Sequence, residues 1–422
     1  MKIRNSIALI LVFILLFMTS AFAAPKADFE LSSESAVLFD TKSGQLLYSK
    51  NHQKIQYPAG LTKIVAALIA IEEGTLDNLV TVDSAPLESI KNTSTIGLFD
   101  GEVLTLREII YGMILQSAND CAITAALNIC DTTDEFVKKM NDKVKEIGAK
   151  NTKFTNVTGI YDKENYSTAE DMALIMQYAC ENPTFTEIAS TKKYTLPVNN
   201  KVSYERPLTS KCALISDSSY AYDGVKAGMA GFTEEGNYTT AVSATKNGFD
   251  VICVTMNSEG EFARYNDIKK LLDYAFDNFH TIVIENSDLK IPQAKLKGWF
   301  GKIGIVDFSL KEPVTLTVPL DADIDNLTYD YQINKKYKKA DKYTASVGIS
   351  FENEKITNLN LSGVGVKKIT FYNILKTILL IILIVVLLFI ALFFYFIFDS
   401  ERKKRKRKQD KLKRSLGIKK DI

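Results

Sequence analysis

The chain has 422 residues, of which 46% are hydrophobic and 24% are charged, and a chain of this length can form two or three domains with well-buried cores. The net charge is +2, but residues 401–422 carry 12 Lys and Arg against 3 acidic residues, which leaves the remainder at −7. This mildly acidic remainder excludes an extended basic surface for phosphate groups, and no nucleic acid partner is expected.

The cysteine and histidine content argues against a disulfide scaffold and against a metal site. The five cysteines are an odd number without close-spaced pairs, and each falls in an apolar or helical segment, where a buried thiol is the expected state. The two histidines lie far apart in the sequence. We therefore expect neither a metal ion nor another cofactor. The residues are Cys121, Cys130, Cys180, Cys212, Cys253, His52 and His280.

The N-terminus has the pattern of a secretory signal peptide. Lys2 and Arg4 give a basic start, Ile7 to Phe17 is apolar, and small residues surround position 23. This pattern predicts a signal peptide over residues 1–23, cleaved after Ala23 or Ala24. The alternative is an uncleaved N-terminal anchor.

The next segment, residues 24–280, is predicted to be an α+β domain. Two β-prone runs flank a turn that contains glycine, which is typical of a hairpin. Helices with apolar spacing near 3.6 follow, and strands return before a last amphipathic helix. This order favours one sheet built from both ends of the domain, with segregated helices. The predicted strands are Ala36–Asp40, Gln45–Ser49, Asn237–Ala244 and Asp250–Met256, and the predicted helices are Thr105–Leu115, Asp120–Ile129, Asp134–Ile147, Thr168–Cys180 and Ile268–Phe279.

The composition changes after residue 280. Alternating segments such as Pro313–Pro319 and Tyr343–Ile349 predict a small β-rich domain over residues 281–366. A transmembrane helix is predicted over residues 374–398, because Ile378–Phe398 contains 21 residues without a charge. As a helix this run would be about 30 Å long, the thickness of a hydrocarbon core.

The predicted tail, residues 399–422, begins with a strongly basic run from Arg402 to Lys408. Positive charge is retained on the cytoplasmic side of a membrane, so residues from about 25 to about 370 are predicted to lie outside the cytoplasm of a single-pass protein. The alternatives are a buried core helix and a nucleic-acid-binding tail. A basic stop-transfer anchor explains both segments together.

Four stretches occur in an order that identifies a family: Tyr57–Lys63, Ser117–Asp120, Tyr166–Asp171 and Asp223–Gly228. With them the chain resembles the low-molecular-weight penicillin-binding proteins, the serine D-Ala-D-Ala carboxypeptidases related to β-lactamases, over about residues 30–360. The resemblance implies an α+β fold of the penicillin-binding-protein type, in which an antiparallel sheet carries a helical subdomain. It also implies peptidoglycan stem peptides as ligands.

The first motif departs from the family at the nucleophile. Tyr57–Lys63 resembles Ser-x-x-Lys, but Gly60 stands where the family has serine. Residues three apart on a helix share a face, so a serine at position 60 would lie beside Lys63, the base that activates it. Gly60 retains a backbone N–H for an oxyanion but has no hydroxyl.

The second motif matches the family. The resemblance gives Ser117 a role in passing a proton to the leaving amine, and gives Asn119 a hydrogen bond to the substrate's peptide. The alternative is that this segment, Ser117–Asp120, is only a helix N-cap, since Ser, Asn and Asp favour such positions.

The third motif is Lys-Thr-Gly in the family and Lys226-Ala227-Gly228 here. The resemblance implies that Lys226 binds the substrate's terminal carboxylate and that Gly228 lets the strand backbone approach the ligand. It also implies that the backbone N–H of Met229 completes the oxyanion hole. Ala227 lacks the threonine hydroxyl that would also hold the carboxylate. A solvated strand edge with a turn is the alternative.

Three functions remain open. The first is a membrane-anchored, extracytoplasmic pseudoenzyme of the family that binds stem peptides or a protein partner through the cleft. The second is an active carboxypeptidase that removes the terminal D-Ala of muramyl pentapeptides. The third is a structural membrane protein with a vestigial cleft. We favour the first, because losing the nucleophile of a serine hydrolase costs about a million-fold in turnover.

Overall fold

The computed structural model describes residues 27–90, 92–216, 219–298, 301–334, 344–366 and 371–415. The predicted signal peptide, residues 1–23, and the end of the basic tail, residues 416–422, lie outside the described residues. The described chain forms two compact units. The first contains residues 27–289, 312–329 and 348–358, and the second contains residues 290–311, 330–347 and 359–415.

The strands, in chain order, are β1 (Ser33–Asp40), β2 (Leu46–Lys50), β3 (Leu79–Thr81), β4 (Val103–Thr105), β5 (Lys193–Leu196), β6 (Arg206–Thr209), β7 (Val225–Thr233), β8 (Asn237–Lys246), β9 (Phe249–Ser258), β10 (Phe279–Ile284), β11 (Ala294–Gly298), β12 (Gly301–Ser309), β13 (Val314–Pro319), β14 (Thr328–Asn334), β15 (Thr344–Phe351) and β16 (Glu354–Val366). The α-helices are α1 (Thr62–Glu73), α2 (Leu106–Leu115), α3 (Asn119–Ile129), α4 (Thr133–Ile147), α5 (Ala169–Cys180), α6 (Pro183–Ser190), α7 (Ala213–Ser216), α8 (Ala263–Asn278) and α9 (Phe371–Ser415). Two 3-10 turns are Ala59–Leu61 and Ala85–Ile90.

The first unit is built on a five-stranded antiparallel sheet in the order β2-β1-β9-β8-β7. The predicted hairpin is β1 and β2, and β8 and β9 correspond to the two strands predicted at the end of the domain. β7 was not among the predicted strands. The register pairs Val37 of β1 with Val254 of β9, and Met229 of β7 with Ala241 of β8. β7 is an edge strand of this sheet. The predicted α+β fold is confirmed.

Helices pack on both faces of this sheet, which is why β1 and β9 are buried almost throughout. On one face α1 lies at the centre of the helical region and contacts α2, α3, α4, α5 and α6. Nine of its twelve residues are buried, so it is apolar around most of its circumference. On the opposite face α8 packs on β1, β8 and β9.

The strands from β10 onward follow the α+β core in the sequence. β10 and β13 pair antiparallel, with Phe279 opposite Pro319 and Ile284 opposite Val314. A second five-stranded sheet has the order β11-β12-β16-β15-β14. Because β13 belongs to the first unit, the boundary at residues 280 and 281 stays a prediction, as do the other predicted domain limits. Among the described residues, one helix is long and apolar enough to cross a membrane, Ile374–Ser415 within α9.

A single carboxylate ties the first strand to the last helix of the α+β core. Asp267 on α8 is 2% exposed. Its two oxygens accept hydrogen bonds from the backbone N–H groups and the hydroxyls of Ser32 and Ser33, at 2.6 to 3.1 Å. Hydrogen bonds to a buried charged acceptor are among the strong ones.

We therefore expect Asp267→Ala to lower the free energy of unfolding by about 3 kcal/mol, because buried N–H groups lose their acceptor. Asp277→Ala removes an exposed carboxylate of the same helix and should change it by less than about 0.5 kcal/mol. Thermal unfolding of the detergent-solubilised full chain, followed by circular dichroism, compares the two variants. Equal unfolding temperatures would show that the hydrogen bonds to Asp267 do not stabilise the fold.

Candidate functional site

The first motif lies where a strained turn enters the central helix. The 3-10 turn that contains Gly60 precedes α1, and Ala59 has a left-handed backbone, with φ at +49°, which is uncommon for a residue with a side chain. Gly159 packs so tightly on this turn that a Cβ atom there would lie 1.8 Å from the carbonyl oxygen of Ala59. The hydroxyl of Thr239 on β8 donates to the carbonyl oxygen of Pro58 at 3.1 Å. These contacts fix the position of Gly60.

Lys63 is in the first turn of α1 and only 2% exposed. Its Nζ donates to the carbonyl oxygen of Thr158 at 2.5 Å and to Ser117 Oγ at 3.4 Å. Burial and, to a smaller extent, the positive charge of Lys211 lower the pKa of Lys63 to about 7. A substantial fraction of this amine is therefore uncharged near neutral pH, a state in which it can accept a proton.

A side chain at position 60 would require its neighbours to shift. A Cβ atom at position 60 would lie 2.6 Å from Ser117 Oγ and 2.9 Å from the Cα atom of Gly231 on β7. Conversely, a Cβ atom at position 231 would lie 2.4 Å from the backbone nitrogen of Gly60. The two glycine backbones are in direct contact, and Ser117 Oγ lies close to the volume that a serine side chain at position 60 would need.

The second motif forms a junction between helices and a neighbouring loop. Ser117 is 9% exposed and has φ at +49°, and Asn119 is 5% exposed. The N–H of Asn119 donates to Ser94 at 2.7 Å and its Nδ2 donates to Thr93 Oγ1 at 2.8 Å, while its buried Oδ1 has no hydrogen-bond partner. Asp120 accepts from the backbone N–H groups of Ile96, Gly97 and Leu98.

The simple N-cap alternative for this motif is wrong. Ala118 occupies the N-cap position of α3, and no side chain caps that helix end. Ser117 instead points its hydroxyl at Lys63. The first two motifs are therefore brought together: Gly60, Lys63, Ser117 and Asn119 lie at one place between α1, α3 and β7.

The third motif is the point at which the geometry departs from the sequence-based prediction. Lys226 lies at a β-bulge near the start of β7, and its Nζ pairs with Asp250 at 3.1 Å. Gly231, the β7 residue that contacts Gly60, is five residues further, which is about 17 Å along a strand. The structure does not bring Lys226, Ala227 or Gly228 to position 60.

Lys226 belongs to a different cavity of about 260 Å³. Its lining is mixed in charge and comes from β7, β8, β9, α5 and α6. The lining residues are Thr41, Gln177, Cys180, Glu181, Thr186, Lys226, Ser243, Asp250 and Ile252.

The segment of β7 that faces position 60 is Met229-Ala230-Gly231. The carbonyl oxygen of Ala230 lies 3.4 Å from the position of a Cβ at Gly60. Met229 is 1% exposed and lies in the same apolar core as α1. Sequence reasoning missed this triplet, although it also ends in Ala-Gly and begins directly after the predicted motif.

Sequence reasoning also missed two residues that contact the motifs from distant parts of the chain. The carbonyl of Thr158 accepts the shorter hydrogen bond of Lys63. Lys211 places its Nζ 2.5 Å from Ser94 Oγ. Within the described part of the chain, no group of three or more His, Cys, Asp and Glu side chains could hold a metal ion.

Solved structures with the same architecture define the class. Penicillin binding protein 5 from Haemophilus influenzae superposes with a TM-score of 0.69 at 25% identity, over 81% of this chain and 98% of that one. The D-alanyl-D-alanine carboxypeptidase from Mycobacterium tuberculosis gives a TM-score of 0.55 at 25% identity, over 60% of this chain and 94% of that one. The fold is that of the penicillin-binding proteins.

The sequence comparisons place the chain within that class. Residues 20–260 match the family described as D-alanyl-D-alanine carboxypeptidase. The D-alanyl-D-alanine carboxypeptidase DacF of Bacillus subtilis is 30% identical over 354 residues, which cover 82% of this chain and 87% of that protein. The chain belongs to the D-alanyl-D-alanine carboxypeptidase family, and the resemblance inferred from its motifs is confirmed.

The buried amine of Lys63 has a measurable consequence for stability. Below pH 7 the group is charged in the folded and unfolded states alike. Between about 7 and 10.5, its usual value, the unfolded chain binds more protons, so folded wild-type gains stability as pH rises. We expect the free energy of unfolding of Lys63→Met, relative to that of wild-type, to be highest below pH 7.

The stability of Lys63→Met relative to wild-type should therefore fall toward pH 10 with a slope of up to about 1.4 kcal/mol per pH unit. Thermal unfolding of the full chain from pH 6 to pH 10 measures it, with exposed Lys138→Met as the control that should follow wild-type. A difference that is constant with pH would mean that Lys63 stays charged when folded.

Proposed function

We propose that this protein is a membrane-anchored, extracytoplasmic member of its family that binds the D-Ala-D-Ala ends of peptidoglycan stem peptides without forming an acyl-enzyme at position 60. One observation carries the proposal: the position that faces both Lys63 and Ser117 is glycine. The relatives supply the ligand class, since they are D-alanyl-D-alanine carboxypeptidases.

The proposal extends to the third motif. Met229-Ala230-Gly231 takes the place of Lys-Thr-Gly, so apolar side chains stand where the family has an ammonium and a hydroxyl. Together with Gly60, three reactive or anchoring groups are then missing from the cleft. Loss of the nucleophile alone costs about 8 kcal/mol of transition-state stabilisation, which a positioned water does not replace.

A second candidate function is an active carboxypeptidase that removes the terminal D-Ala through a relocated nucleophile. It is favoured by one observation, that Ser117 Oγ lies 3.4 Å from the Nζ of Lys63, whose pKa is about 7. Nucleophile and base usually lie 2.6 to 3.2 Å apart, although the distance is often longer without ligand. Because Lys63 makes its shorter bond to Thr158, we favour binding without turnover.

The anchor and the topology are part of the same proposal. α9 supplies a helix of sufficient length and apolarity, and a basic run follows the apolar part, which supports a cytoplasmic tail and an outward-facing cleft. A purely structural role with a vestigial cleft predicts no peptide binding. A protein partner at the cleft would compete with the peptide.

Labelling with fluorescent penicillin tests the assignment of the third motif. Wild-type should show no covalent band. Gly60→Ser combined with Met229→Lys and Ala230→Thr should gain one, while the matched variant Gly60→Ser with Ala227→Thr, which relies on Lys226, should not. The reverse pattern would return the third motif to Lys226–Gly228. A wild-type band that Ser117→Ala abolishes would establish the relocated nucleophile instead.

Titration of the full chain with diacetyl-L-Lys-D-Ala-D-Ala tests binding itself. We expect saturable binding that Asn119→Ala weakens about tenfold, because the unpartnered Oδ1 of Asn119 would lose its bond to a peptide N–H. Asn200→Ala, an exposed amide elsewhere on the surface, is the control. If wild-type shows no binding, the ligand half of the proposal is wrong.

A further inference from the structure

The cleft lacks the cation that the family takes from β7. Met229 is apolar and buried, and Lys226 is paired with Asp250 at the far end of the strand. Arg264 lies behind β7 and is 4% exposed, and its guanidinium donates to the backbone carbonyls of Gly231, Thr239 and Glu261. None of these side chains is available to an anion beside Gly60.

Lys211 is held next to the cleft by its own backbone. Its N–H donates to the carbonyl oxygen of Leu115, the last residue of α2, at 2.8 Å. Its carbonyl oxygen accepts the hydroxyl of Tyr265 on α8 at 2.8 Å, and Tyr265 is 1% exposed. Hydrogen bonds therefore fix the backbone of Lys211 beside Leu115, which is two residues before Ser117 in the sequence.

The Lys211 side chain reaches the second motif. Its Nζ donates to Ser94 Oγ at 2.5 Å, and the carbonyl oxygen of Ser94 accepts the N–H of Asn119 at 2.7 Å. The positive charge of Lys211 is also close enough to Lys63 to lower the pKa of that amine. The two lysines are therefore neighbours beside the second motif.

Lys211 has no counter-charge among the residues that the structure describes, since no Asp or Glu oxygen of those residues pairs with its Nζ. Burial alone lowers its pKa. Lys211 is exposed to solvent, so a ligand can reach its ammonium, and a bound anion would stabilise this positive charge beside the buried amine of Lys63. The unpartnered Oδ1 of Asn119 lies in the same region. A bound ligand with a negative group and an N–H donor would satisfy both.

We propose that Lys211 is the anion-binding residue of this cleft, and that it selects peptides with a free terminal carboxylate. In the family this group is held by the lysine and threonine of the third motif. Lys211 supplies the charge from the segment before α7 rather than from β7. The inference rests on the proposed function, because it requires that the cleft bind a peptide at all.

The test compares two peptides on the full chain in detergent micelles by isothermal titration calorimetry. They are diacetyl-L-Lys-D-Ala-D-Ala and the same peptide with a C-terminal amide. We expect wild-type to prefer the acid, and Lys211→Gln to weaken the acid 10- to 100-fold while leaving the amide unchanged. Lys211→Arg should retain the preference, and Lys138→Gln, at an exposed position of α4, should behave as wild-type.

Each outcome separates the two proposals. If wild-type binds the acid and Lys211→Gln binds it equally well, the role of Lys211 is wrong and the proposed function stands. If wild-type binds acid and amide equally, the selection of a carboxylate is wrong, a result that does not depend on how any variant folds. If wild-type binds neither peptide, the proposed function fails and the role of Lys211 fails with it.

Discussion

The contact between the backbones of Gly60 and Gly231 is the constraint on which the rest of the site depends. It sets the start of the central helix α1 directly against the edge strand β7, at a distance that no residue with a Cβ atom allows without a shift. The left-handed turn at Ala59 and the close packing of Gly159 hold the helix start there from the other side. Lys63 and Ser117 meet as a consequence, because both are carried by elements that converge on this contact.

Lys63 is retained although position 60 offers it nothing to activate, and the structure gives a physical reason. Its ammonium joins α1 to the loop at Thr158 and to Ser117, so its removal would leave a buried carbonyl without a donor. Burial nevertheless makes the charged form unfavourable. A preserved lysine is therefore weak evidence for preserved catalysis, and the chemistry of this cleft is decided by the groups around the lysine.

Most of the α+β core could be predicted from the sequence. The predicted hairpin and four of the five predicted helices match the structure to within a few residues, because their periodicity and their turn residues are local signals. The helix predicted from Ile268 begins at Ala263 instead, and α6 and α7 have no counterpart among the predicted helices. Local signals do not predict which triplet of β7 lies beside Gly60. Two triplets ending in Ala-Gly follow one another, and a shift of three residues along a strand moves side chains to the opposite face. Ala227 lies in the core with α1, whereas Ala230 lies in the core with α8; only the pairing of Gly231 with Thr239 selects between them. No local sequence pattern marks Lys211 as a site residue, because the residues that it contacts, Ser94 and Leu115, are distant from it in the chain.

The site brings the amine of Lys63, the hydroxyl of Ser117 and the unpartnered amide oxygen of Asn119 together beside a glycine. Under the proposed function, binding and turnover are separable in this protein. The most direct measurement of that separation is the intact mass of the full chain after incubation with a D-Ala-D-Ala peptide or a penicillin. The account predicts an unchanged mass under conditions in which the peptide binds saturably. A mass increase of one acyl group, located by digestion to any residue of the cleft, would contradict it.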